Sequence, residues 1–403
     1  MQKILEYFLS LLIILECNSV YSRLYNTNNY ISIWLILVLG LLIIISLVKR
    51  RNVKRINVLI PFFIFYFMYI GIYMLHMSEF SERFIYLFII SLPMFILYYS
   101  LDKNNIMRLL TAMANTIFFL CFVSILFWLS GSILNIIKPT GTAIIDWGYI
   151  KTIQSYHNIY FVTQYAGFFN LFLTRNSGIF AEAPMHSLIL TIGLMTNILV
   201  CKRKSILKNI ILSLGILSTL STAGIIIAIV VLGFDFVVSR KKKSNDLLLY
   251  LILTLIITVI VITISFVIID EKSSSMSYLT RIDDYMSCIN AWKNHLIFGN
   301  GFSNEIAIRN YMSQFRVGNM GLSNSLLTLL ALGGLYLFNL YIIPFIISLK
   351  YYFRKNKKIV FYIFMILSLF IVLIFHYKVL IINFLAIGYS LIFNRKDGDL
   401  DGE

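Results

Sequence analysis

Residues 202 to 243 read KRKSILKNIILSLGILSTLSTAGIIIAIVVLGFDFVVSRKKK, an apolar stretch closed by a basic cluster at each end. Lys and Arg collect on the cytoplasmic side of membrane proteins, so both clusters belong on one side and the chain between them crosses an even number of times. Ser205 to Ser239 is too long for one ordinary crossing of about 20 residues and divides into two short ones. The turn falls at Ser218-Thr219-Leu220-Ser221-Thr222-Ala223-Gly224, whose small and hydroxylated residues can satisfy or closely pack an exposed backbone. Because both halves are short, a re-entrant or buried turn facing a cavity stands beside a plain hairpin as an explanation.

The rest of the 403 residues repeats this pattern. Hydrophobic residues make up 59% and charged residues 13%, where a soluble domain carries roughly a quarter charged, and the mean hydropathy is +0.85. A soluble fold is excluded, and one membrane domain over 1–403 is the natural count. Apolar runs predict spans at 4–22, 30–48, 58–75, 84–101, 109–129, 185–200, 209–221, 223–239, 247–269, 323–349, 359–375 and 379–393. The fold class is therefore an all-α polytopic membrane protein of about 12 transmembrane helices.

Basic clusters fall in every second connection: 49–55, 103–108, 202–208, 240–243, 350–358 and 395–396. With Lys3 they hold 23 of the 34 Lys and Arg residues, while the opposite short connections hold only Arg23, Arg83 and Lys378. Both termini are thus expected in the cytoplasm, with the protein in the cytoplasmic membrane. The formal charge of +16 is explained by this orientation, and no aromatic-interleaved basic domain points to nucleic acid. Lys3 followed by apolar Ile4 to Leu15 could pass for a secretory signal, but an uncleaved first span is the expectation. Cys17, Cys121, Cys201 and Cys288 are scattered without metal or redox spacing and read as structural thiols.

Two connections are long, Ser130 to Pro184 and Asp270 to Leu322, and both fall on the extracytoplasmic side. Loops of that length are functional or disordered. Disorder fits poorly with Trp147, Tyr149, Tyr156, Tyr160, Phe161 and Tyr165 in one and Tyr285, Trp292, Phe298 and Tyr311 in the other. Folded loops, partly interfacial helices on the membrane surface, are expected.

In the first loop Arg175, Gly178, Glu182 and His186 bring a cation, an acid and an imidazole together where the chain re-enters lipid. Ionisable groups at such a mouth mark function by default. The plainer account is that Arg175 snorkels to lipid headgroups and Glu182 pairs with it. The second loop holds Arg281, Asp283, Asp284 and His295, then Gly299-Asn300-Gly301, and closes on Ser323-Asn324. The Gly-Asn-Gly element permits close backbone approach to a ligand, and a plain turn accounts for it equally well. His76 and His157 read as surface or interfacial residues, and His376, beside Lys378 in a short outer turn, as having no special role.

Arg175-x-x-Gly178-Ile179-Phe180-x-Glu182-x-Pro184, Arg281 before an amphipathic stretch ending in Gly299-x-Gly301, and Ser323-Asn324 with Gly333-Gly334 resemble, in order and spacing, the Wzy-type O-antigen and capsule repeat-unit polymerases. These sit in a superfamily with the O-antigen ligases. The resemblance covers most of the chain in topology and implies a GT-C-like fold. Ala223 stands where the superfamily often has arginine, so the 218–224 turn receives no role from it. Ser323-Asn324 stands where ligases tend to have histidine, which favours a polymerase.

The resemblance implies a glycosyltransferase that joins polyprenyl-diphosphate-linked oligosaccharides, with no metal or other cofactor, beside a flippase and a chain-length regulator. Such a site must hold diphosphates, and arginine's planar fork binds phosphate oxygens bidentately. Arg175 and Arg281 are the expected clamp, with Gly178, Asp283, His295 and Asn324 as further binding residues. Glu182, His186, His295 and Asp283 remain open as the base for the attacking hydroxyl. Asp283-Asp284 keeps a metal conceivable. A flippase of the same lipids is the chief rival from another class, but carriers show repeated halves and ionisable groups near the midplane. An O-antigen ligase-type transferase is the next.

Overall fold

A computed structural model describes residues 1–25, 30–49, 56–78, 80–146, 150–168, 171–239, 276–316, 321–372 and 376–393. The expected span 247–269, the basic clusters 240–243 and 395–396, residues 50–55 of the first basic cluster, Trp147 and Tyr149 lie outside them. Helix accounts for 72% of the structure. Each of the other eleven expected spans coincides with a described helix. Six of these helices are long and apolar enough to cross a membrane: Tyr30–Val48, Leu59–Met77, Glu82–Ser100, Lys103–Ile133, Ala183–Val200 and Ser325–Tyr352. Ile206–Ser218, Thr222–Val238 and Val379–Leu391 are shorter apolar helices. Helices are the natural form for such runs, because lipid offers no partner for a free backbone group.

The chain divides into two compact units, one of Met1–Leu9, Ile33–Ile106 and Met276–Glu403, the other of Ser10–Ser32 and Met107–Ser275. In the second unit the helix Ala183–Met195, continued by a wide turn to Val200, is almost wholly buried. Its neighbours approach closely at small residues: a Cβ on Gly193 would strike Ile117, one on Gly215 would strike Cys121, and one on Gly224 would strike Ser187. The helices Ile206–Ser218 and Thr222–Ser239 form the expected hairpin, and Ser218, Thr219 and Ser221 between them are buried.

The described part of the first long loop, beyond the end of the helical Trp128–Ile133 turn, is mostly strand. It folds as β1 (Gly141–Asp146), β2 (Ile150–Tyr156) and β3 (Tyr160–Val162) in one antiparallel sheet, followed by the hairpin β4 (Tyr165–Phe168) and β5 (Leu171–Thr174). Burial alternates along β1, with Ala143 and Ile145 inward. They pack with Ile153, Phe161, Val20 and Ala181. The expectation of interfacial helices here is corrected: Thr, Ile, Val and Tyr favour strand, and burial alternates along β1. The first helix is also shorter than its expected span, ending at Glu16. Beyond it Asn18 adopts φ 61°, and Ser19 pairs as a bridge with Phe180.

In the other unit the described part of the second long loop carries two helices, Met276–Asn294 and the short Ile306–Arg309. The helix Ser325–Tyr352 is capped by Asn324, whose side chain accepts from the Leu327 amide at 2.9 Å. It is broken at Gly334, with φ 59° and ψ −170°. The chain around Gly299 lies against the break: Asn300 N donates to Ala331 O at 3.1 Å, Gly301 N to Leu332 O at 2.9 Å, Leu335 N to Leu296 O at 3.0 Å and Tyr336 N to Ile297 O at 2.8 Å. The Gly299-x-Gly301 and Gly333-Gly334 elements are thus one device. A broken apolar helix is tolerated where other protein backbone satisfies the freed groups.

Candidate functional site

The segment that re-enters the helix Ala183–Met195 is organised by Asn176, which is fully buried. Its amide nitrogen donates to Ser218 Oγ at 2.9 Å and Ser124 Oγ at 3.3 Å, and its Oδ1 accepts from Gly178 N at 3.1 Å. Its backbone N–H donates to Ser218 O at 3.0 Å. This places Arg175 over the 218–221 turn, where its Nε donates to Thr219 O at 2.8 Å. The terminal NH2 groups of Arg175 have no hydrogen-bond partner among the described residues. Burial pushes the guanidinium below its usual pKa and Glu182 pulls it back up, so arginine stays charged.

Glu182 does not pair directly with Arg175. Its Oε1 accepts from Asn18 Nδ2 at 2.8 Å, and Asn18 Oδ1 accepts from Arg23 Nε at 2.7 Å. Gly178 adopts φ +55°, and a Cβ there would sit 2.8 Å from His186 Cε1. The His186 ring fills that space, stacked on Phe180 at 5.4 Å between centroids. Its Nδ1 is 3.1 Å from Asn176 O. At 1% exposure it forms a wall of the site.

In the other unit Arg281 is half buried on Met276–Asn294 and makes no hydrogen bond or ion pair with a described residue. The neighbouring acids are engaged by Arg316, which is 1% exposed. Its Nη1 lies 2.7 Å from Asp284 Oδ1 and 3.3 Å from Asp283 Oδ2 and donates to Thr280 O at 3.0 Å, while Nη2 donates to Gly321 O at 2.8 Å. Asp283 further accepts from Ser313 Oγ at 2.6 Å, and Asp284 from Ser323 Oγ at 2.6 Å. Burial raises the Asp284 pKa, opposed by Ser323 and Arg316. The cluster ties the loop to the helix, so Asp283 serves as a structural anchor here rather than as a substrate ligand or base. No group of His, Cys, Asp and Glu among the described residues is arranged to hold a metal. Asn324, 2% exposed, is engaged in its helix cap rather than facing substrate. His295 stays exposed, and it shares with His76, Phe298, Asn300 and Asn304 the lining of a groove of about 430 Å³.

Arg23, Asn18, Arg316 and the carbonyls of Ser218 and Thr219 were not singled out from sequence. The small hydroxylated turn was the signal for the last two, and Arg23 stood out only as one of three cations in the outer short connections. Compared with family models, curated proteins and solved structures, the chain gives no match.

Proposed function

We propose that the protein is a polymerase of polyprenyl-diphosphate-linked oligosaccharide repeat units, working on the outer face of the cytoplasmic membrane and building an O-antigen or capsule. This goes with twelve spans, both termini cytoplasmic, a GT-C-like arrangement by resemblance, and the lipid-linked sugars as partners. The observation that supports it best is Arg175, whose side chain is anchored among the described residues through Nε, with its two NH2 groups open beside Glu182. That edge of a guanidinium matches the oxygens of a phosphate.

In the reaction the C1–O bond between the growing chain and its diphosphate breaks, and the electron pair leaves with the polyprenyl diphosphate. A hydroxyl of the incoming unit forms the new C1–O bond, and Glu182 takes its proton. Arg175 stabilises charge on the departing diphosphate. In its own unit Arg281, whose side chain makes no hydrogen bond or ion pair among the described residues, remains a candidate anion-binding residue, and His295 a candidate sugar-binding residue.

The test is complementation of a null strain with Arg175→Ala, Arg175→Lys, Arg281→Ala and Glu182→Gln, reading surface polysaccharide on a gel beside protein abundance. Both Arg175 variants lose long chains by about a hundredfold or more, because an ammonium cannot hold Thr219 O and present a planar fork. Single units remain displayed outside, whereas loss of a flippase traps them inside. Long chains of normal amount from normally abundant Arg175→Ala protein overturn the proposal.

A further inference from the structure

We propose that Arg23 is the second anion-binding residue of the Arg175 site, so that two guanidinium groups of one unit flank Glu182 and hold a single diphosphate. The inference rests on the polymerase reading for the identity of the lipid, and on the geometry for the existence of the site.

Residues 18–20 are laid antiparallel along 179–181, with Val20 N donating to Ile179 O at 2.8 Å and Ala181 N to Asn18 O at 3.0 Å. This brings the end of the first helix to the re-entry segment, although the two are far apart in sequence. Asn18 turns the chain at φ 61°, a conformation Asn tolerates better than most residues. Its amide, 5% exposed, has both ends engaged: the oxygen faces Arg23 and the nitrogen faces Glu182. Both contacts require the same orientation of the amide, since an arginine only donates and a carboxylate only accepts.

Arg23 is held at its backbone too, its carbonyl accepting from Asp146 N at 2.9 Å. Its side chain is half exposed. Like Arg175 it is anchored through Nε to a neutral oxygen, and its terminal NH2 groups have no hydrogen-bond partner among the described residues. Arginines serving only to neutralise Glu182 would contact it directly, and neither does so within 4.0 Å among the described residues. Arg175 beside Glu182 and Arg23 linked to it through Asn18 present two open forks. A diphosphate, with oxygens on both phosphorus atoms, complements that pair better than a monophosphate, which one fork satisfies.

The test uses full-length protein in nanodiscs, titrated calorimetrically with inorganic pyrophosphate and, separately, with farnesyl diphosphate. Wild type binds one pyrophosphate per chain. Arg23→Gln and Arg175→Gln each weaken it by about ten- to hundredfold, the effect of one charge-assisted hydrogen-bonding group. Asn18→Gly, which accepts the positive φ but removes the amide, weakens it similarly, and Arg23→Lys weakens it less than Arg23→Gln. Tighter farnesyl diphosphate binding with the same dependence on both arginines identifies a lipid-linked ligand; equal affinity identifies the free anion. Normal pyrophosphate binding by Arg23→Gln overturns the inference whatever happens to the polymer. Binding that needs both arginines, in variants whose polymer is normal, keeps the site and overturns the polymerase reading.

Discussion

Replacing Gly334 with alanine perturbs the break in the helix Ser325–Tyr352 at its narrowest point. The backbone there has φ 59° and ψ −170°, a region open to glycine almost alone and costing other residues about 1–3 kcal/mol. The added Cβ would lie 2.2 Å from Ile297 O and 2.5 Å from Gly299 N. Both atoms are backbone and cannot swing aside as a side chain can. Relief requires the two chains to separate, which weakens the hydrogen bonds donated by Asn300, Gly301, Leu335 and Tyr336, each contributing about 1 kcal/mol net. The combined loss is about 3–5 kcal/mol, equivalent to a fall of roughly 5 °C in the thermal midpoint of a chain this long. The assay is the fraction of detergent-solubilised protein that stays monodisperse on size exclusion after heating, with one fixed heating time because such unfolding is irreversible. Gly40→Ala and Gly71→Ala serve as controls: both lie inside helices, and a Cβ at either meets nothing within 4 Å. They leave the midpoint unchanged or raise it slightly, as alanine for glycine does in a helix. A Gly334→Ala protein that melts with these controls refutes the account of the two glycine elements as one device.

Removing Arg316 with Arg316→Met leaves Asp283 and Asp284 buried without their cation, a loss of about 3–5 kcal/mol in the same heating assay. Adding Asp283→Asn and Asp284→Asn recovers most of it, and an unchanged midpoint for the single variant refutes the anchoring role. His376 sets an acid limit on stability, because burial, with Arg83 and Lys378 nearby, lowers its pKa to about 3. The folded protein holds its imidazole neutral while the unfolded chain protonates below about pH 6.5, so stability falls as pH drops from there toward 3. At pH 5 the loss is about 2 kcal/mol. His376→Phe flattens the midpoint-against-pH curve over that window, and a curve parallel to wild type refutes the assignment.

The helices were legible in the sequence because lipid imposes a local rule: each crossing must be a continuous apolar run whose backbone bonds within itself. The hairpin at 206–239 was readable for the same reason, since charge on both flanks forces a turn. The strands of 141–174 hold many strand-favouring Thr, Ile, Val and Tyr residues, but aromatic content suggested helices lying on a membrane, and the alternating burial of Ala143 and Ile145 in β1 decided otherwise.

The candidate site was legible as a set of residue types and not as an arrangement. Arg175, Glu182 and Arg281 are conspicuous in an apolar chain, because ionisable groups at a membrane mouth are rare and expensive. Nothing in the sequence told that Arg175 is held by the carbonyl of Thr219, since every residue carries the same backbone acceptor and only folding selects one. Likewise the burial of His186, the binding of Asp283 and Asp284 by Arg316, and the link from Glu182 through Asn18 to Arg23 join residues distant along the chain. Sequence alone determined where helices form and which side chains are unusual, because both follow from neighbours in the chain. Tertiary structure decided which of those side chains are sealed, which are tied down and which keep open donors, because burial and hydrogen-bond pairing depend on contacts that the order of residues does not encode locally.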